Sequence, residues 1–452
     1  MQFRHIMVCF TLALSLTACG GGGSSDSLAE EPETDINLPI PTARTQKPML
    51  AILLSYNDIS ITSGVSLWSA KLFGTSPHQL NHYYNEVSLG EFGLVPADEN
   101  ESTLNDGVIS IKLGTNHPDS GSKPTIHPDL KQALEAANAY VDYARYDTNK
   151  DGKISSDELS LLFIVAGNED AYSGATDSEG VWAHSWCTQP ENTPVLDGVS
   201  LMGCATGGSY ALFGERHNKD GDDHDATIGI IAHELGHSIL LLPDLYDTDG
   251  TDDTDATSGG IGYFGMMGTG NWGRESTDFA GNTPTHFCAW SKVTLGWVNP
   301  ELITATNALS VELYESASQA FNIFKLPVNA NEYFLIENRN NSGYDRGLYP
   351  ITGIFNGGLA IWHIDEKIIA DKLATNTVNT DETHKGVDLE EAASAQLDAS
   401  SSNIGHEKNL YYQGNIDLFE ASQSYSGAST GIRVEAISRR GATMTATLSN
   451  PN

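Results

Sequence analysis

A chain of 452 residues with 39% hydrophobic content has enough apolar material to build two or three packed domains, which excludes a disordered or fibrous chain. Its 59 acidic residues against 24 basic ones give a net charge of -35. That balance excludes charge-driven binding to nucleic acid or to anionic membrane surfaces and leaves cations as the natural partners.

The chain opens with MQFRHIMVCFTLALSLTAC, a single arginine, an apolar run from Ile6 to Leu16 and then small residues. The run is too short to span a bilayer and has the build of an export signal. Its end, Leu16-Thr17-Ala18-Cys19, resembles the bacterial lipobox, in which the cysteine is acylated and becomes the mature N-terminus. Gly20 rather than Asp follows, which in such lipoproteins suggests the outer membrane. The expectation is a signal peptide over 1–18, a lipid on Cys19 and a surface-anchored protein, possession of a plain secretory signal being the simpler alternative. Residues 19–46, Gly/Ser-rich and then Pro-rich and acidic, read as a disordered tether.

Order is expected from about Lys47. MLAILLSYND (49–58) reads as a buried strand, TIHPDLKQALEAANAYVDYARY (125–146) as a helix with Pro128 near its start, and LSLLFIVAG (159–167) as a second strand. ATIGIIAHELGHSILL (226–241) reads as a largely apolar helix with Asp225 as its N-cap. From about 301 the texture changes to short alternating runs, LSVELY, FNIFKLPV, EYFLIENR, GGLAIWHI, GIRVEAIS and TMTATLS, separated by Asn, Gly and Ser, which predicts a β-rich C-terminal region over 301–452. Cys187 and Cys204 are spaced to close a small loop, a pairing that export permits and that sequence does not fix; Cys288 is expected to be buried and inert.

HELGHSILLLPDLYD (233–247) carries the chemistry. His233 and His237 lie four apart and project from one face of a helix, so both imidazoles can hold one zinc. Hydrolytic zinc takes three protein ligands and keeps a position open for water, and Glu234 is placed to move that water's proton. A buried histidine pair in a core helix is the bland reading. No Glu occurs from Ser238 to Arg274, which removes the third ligand of thermolysin-like enzymes. Pro243 stops the helix, and Asp244 lies where a returning chain reaches the metal, as in metzincin-like enzymes.

The segment resembles the zinc motif of the immune inhibitor A family of metallopeptidases, HExxHxxGxPDxYD, and NEVSLGEFGLVP, YDTNKDGKI, VWAHSW, FCAWSKVTLGWV, YFLIENR and GGLAIWHIDE resemble family segments in the same order from about 47 to 448. The resemblance implies an α+β chain with a metzincin-like zincin catalytic domain, a mixed sheet plus active-site helix, over 47–300. It implies zinc on His233, His237 and Asp244, Glu234 as catalytic acid and base, and Met267 of GYFGMMGTGNW in the turn beneath the metal. One departure stands out: Asp244 follows His237 by seven residues where the family has six, and Leu240 occupies the glycine place. This keeps Asp247 open as the third ligand.

DTNKDGKISSDE (147–158) carries Asp147, Asn149 and Asp151 at positions 1, 3 and 5 of an EF-hand-like calcium loop, Gly152 at 6, the Lys153 carbonyl at 7 and Glu158 at 12. A structural calcium clamp is expected, since no second loop pairs with it. The acidic stretches 218–225 and 244–256 are further calcium candidates or simply solvated loops. His184, His286 and His363 are lone histidines, expected in core or surface roles, and Tyr246 and Tyr263 are the candidates for stabilising an oxyanion. The resulting expectation is a calcium-supported zinc endopeptidase acting as a monomer on protein or peptide substrates. Its rival is an inactive calcium-dependent surface adhesin on a protease scaffold.

Overall fold

A computed structural model describes residues 45–118, 123–173, 179–219, 222–248, 258–393, 397–398 and 404–452. The signal peptide, Cys19 and most of the tether lie outside these residues, as does part of each acidic stretch. The first strand, β1 (Thr45–Ser55), begins two residues inside the expected tether.

The chain is α+β. β1 is central to a mixed sheet that also contains β2 (Phe92–Pro96), β3 (Val108–Lys112), β4 (Ser160–Glu169), β5 (Tyr210–Lys219) and β6 (Asp222–Asp225). Its path runs β6-β5-β4-β1-β2, with β3 also on β1. All these pairings are parallel except β5–β6, which is antiparallel. β1 reads as one apolar run because both its faces are covered. Met49, Ala51 and Leu53 face one core with helices α1 (Val65–Phe73) and α2 (Leu80–Val87), while Leu50, Ile52 and Leu54 face a second core with α3 (Lys123–Ala137).

The motif helix, α4, spans Ile228–Ser238, shorter at both ends than expected. Asp225 is not its cap: the N-cap is Thr227, and Asp225 instead accepts from the Ser63 hydroxyl and pairs with Arg216. One of the first-turn amides, Gly229 N, is bonded from outside the helix, to the Gly281 carbonyl at 2.9 Å, and Thr227 makes no side-chain cap.

Beyond residue 300, β7 (Glu301–Leu302), β9 (Phe324–Pro327), β10 (Glu332–Arg339), β11 (Gly358–Asp365) and β12 (Val387–Leu389) form one sheet. β8 (Thr306–Tyr314), β13 (Phe419–Gln423), β14 (Ser429–Glu435) and β15 (Thr443–Asn450) form another. β10 and β11 are buried on both faces. Tyr333, Leu335, Ala360, Trp362 and Ile364 join the core that holds α4, whereas Phe334, Ile336, Leu359 and Ile361 pack on the four-stranded sheet. One apolar core therefore runs across residue 300. A buried ion network crosses it too: Lys292, on α5 (Ala289–Thr294), meets Glu337 at 3.0 Å, Glu337 meets Arg339 at 3.2 Å and Arg339 meets Asp345 at 3.3 Å. Two cations against two anions leave no net charge in the interior, the condition for burying them at all.

Cys187 and Cys204 form a disulfide, and Cys288 is buried with its thiol pushed up by that burial. Among the described residues no helix is long and apolar enough to cross a membrane.

Candidate metal centre

Helix α4 presents His233 and His237 with their Nε2 atoms 3.1 and 3.2 Å from Oδ1 of Asp244. Each Nδ1 is held by a backbone carbonyl, Met266 O at 3.0 Å for His233 and Leu242 O at 2.7 Å for His237. A carbonyl only accepts, so both Nδ1 atoms carry hydrogen, and in the neutral rings the Nε2 lone pairs are left directed at the Asp244 carboxylate. Fixing the outer nitrogen in this way is the usual support for a metal-binding imidazole. Among the described residues, this is the one group of three His, Cys, Asp or Glu side chains whose ligand atoms lie within 4.8 Å of one another.

The turn that delivers Asp244 explains how an extra residue is absorbed. After α4 ends at Ser238, Leu240 N bonds Leu235 O at 3.3 Å and Leu242 N bonds Gly236 O at 3.1 Å, each reaching further back than an α-helical bond. The helix end widens by one residue, and the left-handed position falls on Leu241 (φ 57°), one later than the expected glycine place. Leu241 is 72% exposed, so its unfavourable backbone is not compounded by crowding. Asp247, the alternative ligand, accepts instead from the Ser258 amide at 3.0 Å.

Below the helix, the Met267 sulfur lies 2.6 Å from where a Cβ on Gly236 would stand, so only glycine fits between the two histidines' turns. Leu245 N donates to Met267 O at 2.6 Å, tying the ligand turn to this floor. Arg339 Nη1 donates to Phe264 O at 2.9 Å from the sheet beyond. Glu234 is fully buried beside the histidines on α4. Its field reaches Glu169, whose carboxyl burial pushes up to about 8 even though it accepts from the Ala171, Ala183 and Gly214 amides. The Tyr246 ring lies parallel to the His233 ring at 6.4 Å, while Tyr263 is fully buried.

The electrostatics of the group are those of a charge waiting for a cation. Burial alone would raise the Asp244 carboxyl, yet the two imidazoles hold it well below the ordinary range. Burial likewise lowers His237, but Asp244 outweighs it and pushes the ring up to about 9.

The twelve-residue loop adopts the expected local form without that degree of convergence. Gly152 takes φ 76° and donates to Asp147 Oδ2 at 3.0 Å. Glu158 reaches back to the Thr148 amide at 3.0 Å and the Ser155 amide at 3.1 Å, and these bonds, with others in the loop, bring its carboxyl below the ordinary range against the effect of burial. Asp151 caps the Lys153 amide and Asn149 accepts from Asp151 N. Where a second calcium loop would pair, Ser200 takes its place, bonding Ile154 N at 2.9 Å and Gly152 O at 3.0 Å. His184 is a core residue between Trp182 O and Tyr210. His286 is fully buried and held neutral by that burial, and His363 sits between Glu332 and Glu390.

Sequence reasoning missed Asn376 and Asn379, which reach this site from 132 and 134 residues downstream. Asn376 bonds both the amide and the carboxylate of Asp244, and Asn379 bonds Leu245 O. Nothing in the surrounding TNTVNT marks either.

Two imidazoles and a carboxylate converge near a methionine, with a glutamate on the same helix, in a group that could hold a metal ion. Residues 78–298, just under half of the chain, match the family model described as immune inhibitor A peptidase M6, catalytic domain. Over those residues the chain is similar to the catalytic domain of that peptidase family, the one its sequence resembles. Among solved structures, wild-type OgpA from Akkermansia muciniphila is 14% identical, the match covering 73% of this chain and 87% of that one with a TM-score of 0.30. Catalytically inactive OgpA in complex with an O-glycopeptide substrate, glycodrosocin, is also 14% identical, covering 73% and 86% with a TM-score of 0.27. No curated protein matches.

The His237–Asp244 pair sets a pH dependence. Protonated His237 contributes stability to the metal-free protein that is fully present below its unfolded pKa and is lost as pH rises through about 9. A divalent metal must displace that proton, so its apparent affinity should fall about tenfold for each pH unit from 8.5 to 7. Chelator competition across this range measures the slope; a flat profile contradicts the pairing.

Proposed function

We propose that this protein is a zinc-dependent endopeptidase of metzincin type, exported, anchored at the cell surface through a lipid on Cys19 and stabilised by calcium. The observation that carries the reading is the convergence of His233, His237 and Asp244 in a buried group with Glu234 on the same helix. Two nitrogens and one carboxylate oxygen are the donor set that hydrolytic zinc takes, leaving a position for substrate.

In this reading His233, His237 and Asp244 hold the ion. Zinc held there would supply Lewis-acid polarisation of the scissile carbonyl and a lowered pKa for water. Glu234 takes a proton from the attacking water and returns it to the leaving amine. Met267 against Gly236 fixes the height of the helix over its floor, and Tyr246, whose ring lies 6.4 Å from that of His233, is the candidate to support a developing oxyanion. The substrates are proteins or peptides outside the cell, reached across the tether that precedes Thr45.

Glu234→Gln should lower casein cleavage by about 10²–10⁴-fold while retaining zinc, whereas His237→Ala and Asp244→Ala should lose zinc and activity together, and Asp247→Ala should retain both. Zinc stoichiometry and peptide hydrolysis measured on the same preparations decide the matter. A wild type that binds only calcium and cleaves nothing would support the inactive adhesin instead.

Calcium is assigned to Asp147, Asn149, Asp151, the Lys153 carbonyl and Glu158 because the loop already has the required turn and Glu158 is buried beneath it. A hundredfold excess over Kd adds about 2.7 kcal/mol to stability, so the wild-type melting temperature should rise by several degrees in calcium and that of Glu158→Ala should not. A calcium-independent melt of the wild type removes this assignment.

The anchor rests on the sequence Leu16-Thr17-Ala18-Cys19. Cys19→Ser should abolish fatty-acid labelling and release the protein from the membrane fraction; equal labelling of both forms rejects it.

A further inference from the structure

The third ligand of the proposed zinc site is held from a segment 132 residues downstream. Asp244 N donates to Asn376 Oδ1 at 2.8 Å, and Asn376 Nδ2 donates to Asp244 Oδ2 at 2.5 Å. This double bond between one amide side chain and one aspartate fixes the orientation of both, since the backbone N–H requires the amide oxygen and the carboxylate requires the amide nitrogen. It leaves Oδ1, the other carboxylate oxygen, towards both histidine Nε2 atoms.

Asn376 is itself rigidly placed. It closes the short turn after the helix Glu366–Lys372 in the left-handed region (φ 56°), a conformation asparagine tolerates better than most residues. Its amide bonds Leu373 O at 3.1 Å, and its carbonyl accepts from the Thr248 hydroxyl at 2.8 Å. Three residues on, Asn379 bonds both Leu245 O and Val387 O, at 3.0 and 2.7 Å, and so joins the ligand turn to β12. The ligand turn is thus clasped at 244, 245 and 248 by a segment of the C-terminal sheet region.

The clasp answers the irregularity of the turn. With a leucine in the left-handed position and a widened helix end, the backbone from 239 to 243 is a weak guide for a carboxylate that must present one oxygen to two imidazoles. We infer that Asn376 is a positioning residue for the metal centre: it occupies Oδ2 of Asp244, presents Oδ1 alone to the metal position, and makes the C-terminal region part of the zinc site. The inference rests on Asp244 being a zinc ligand.

The test uses the full chain. Asn376→Gly keeps the left-handed backbone and removes the amide, Asn376→Leu keeps nearly the same shape without polar atoms, and Thr248→Ala cuts only the bond to the Asn376 carbonyl. Zinc affinity is measured by chelator competition, and the visible spectrum of the cobalt-substituted protein reports the coordination of the carboxylate. Both Asn376 variants should bind zinc about 10–100-fold more weakly with a changed cobalt spectrum, and Thr248→Ala, which loses one bond of the clasp but keeps the amide on Asp244, should weaken binding less than either. Backbone strain in Asn376→Leu is common to the metal-free and loaded forms, so it drops out of the affinity. Wild-type affinity and spectrum in the Asn376 variants, with zinc lost in Asp244→Ala, overturns the inference and leaves the ligand assignment standing; undiminished zinc binding by Asp244→Ala overturns the assignment itself. Should neither Asn376 variant fold, wild-type protein with ¹⁵N-labelled asparagine decides: the Asn376 side-chain amide resonance should shift on zinc loading, and its failure to move overturns the inference.

Discussion

A carboxylate with no solvent exposure, 3.1 and 3.2 Å from two imidazoles, is the constraint from which the rest of this structure follows. Such a charge is tolerated in an interior only with a positive partner. In the metal-free state the partner is the proton on His237, which is why that ring is pushed up to about 9. A cation at the same point satisfies all three groups at once. The surroundings are shaped to hold that arrangement: carbonyls on both Nδ1 atoms, glycine where the methionine crosses beneath the helix, and the ligand turn hydrogen-bonded to the Met267 carbonyl.

Supporting this group requires both halves of the chain. The strands β10 and β11 alternate apolar residues to two different cores, so the five-stranded sheet is a middle layer between helix α4 and the outer sheet. Through that layer Arg339 reaches the Phe264 carbonyl just before the methionine turn, and Asn376 and Asn379 reach the ligand turn. Arg339 can be buried there only because Glu337 and Asp345 neutralise it, and Glu337 is held ionised in turn by Lys292 and Arg339 against the opposing effect of burial. The buried ion network is therefore the means by which polar anchors for the site pass through an apolar layer.

What the sequence made legible was what local periodicity encodes. The apolar run of β1, the helical spacing around His233 and the alternation in 332–339 and 358–365 each correspond to an element close to the expected bounds. Asp244 was legible because Pro243 forces a turn there. Less legible were elements without periodicity: β12 is three residues long and β13 five, too short to show alternation. Asp225 was misread as a cap because a tertiary carbonyl, from Gly281, does the capping. Asn376 was invisible for the same reason, since its role comes from a contact across 132 residues.

The twelve-residue loop at 147–158 and the surroundings of Glu234 are linked by a single strand. Glu158 closes the loop, β4 starts at Ser160, and its last residue, Glu169, lies in the field of Glu234 while holding amides from three separate segments: Ala171, Ala183 and Gly214. β4 runs between β1 and β5, the strand against which α4 packs, so it has little freedom to tilt independently at either end. In the proposed reading, a cation that orders the loop restrains the start of the strand whose far end carries Glu169, in the field of Glu234. In the proposed reading, calcium would constrain the sheet beneath the site as well as the loop itself, because Glu158 stands two residues before the start of that strand.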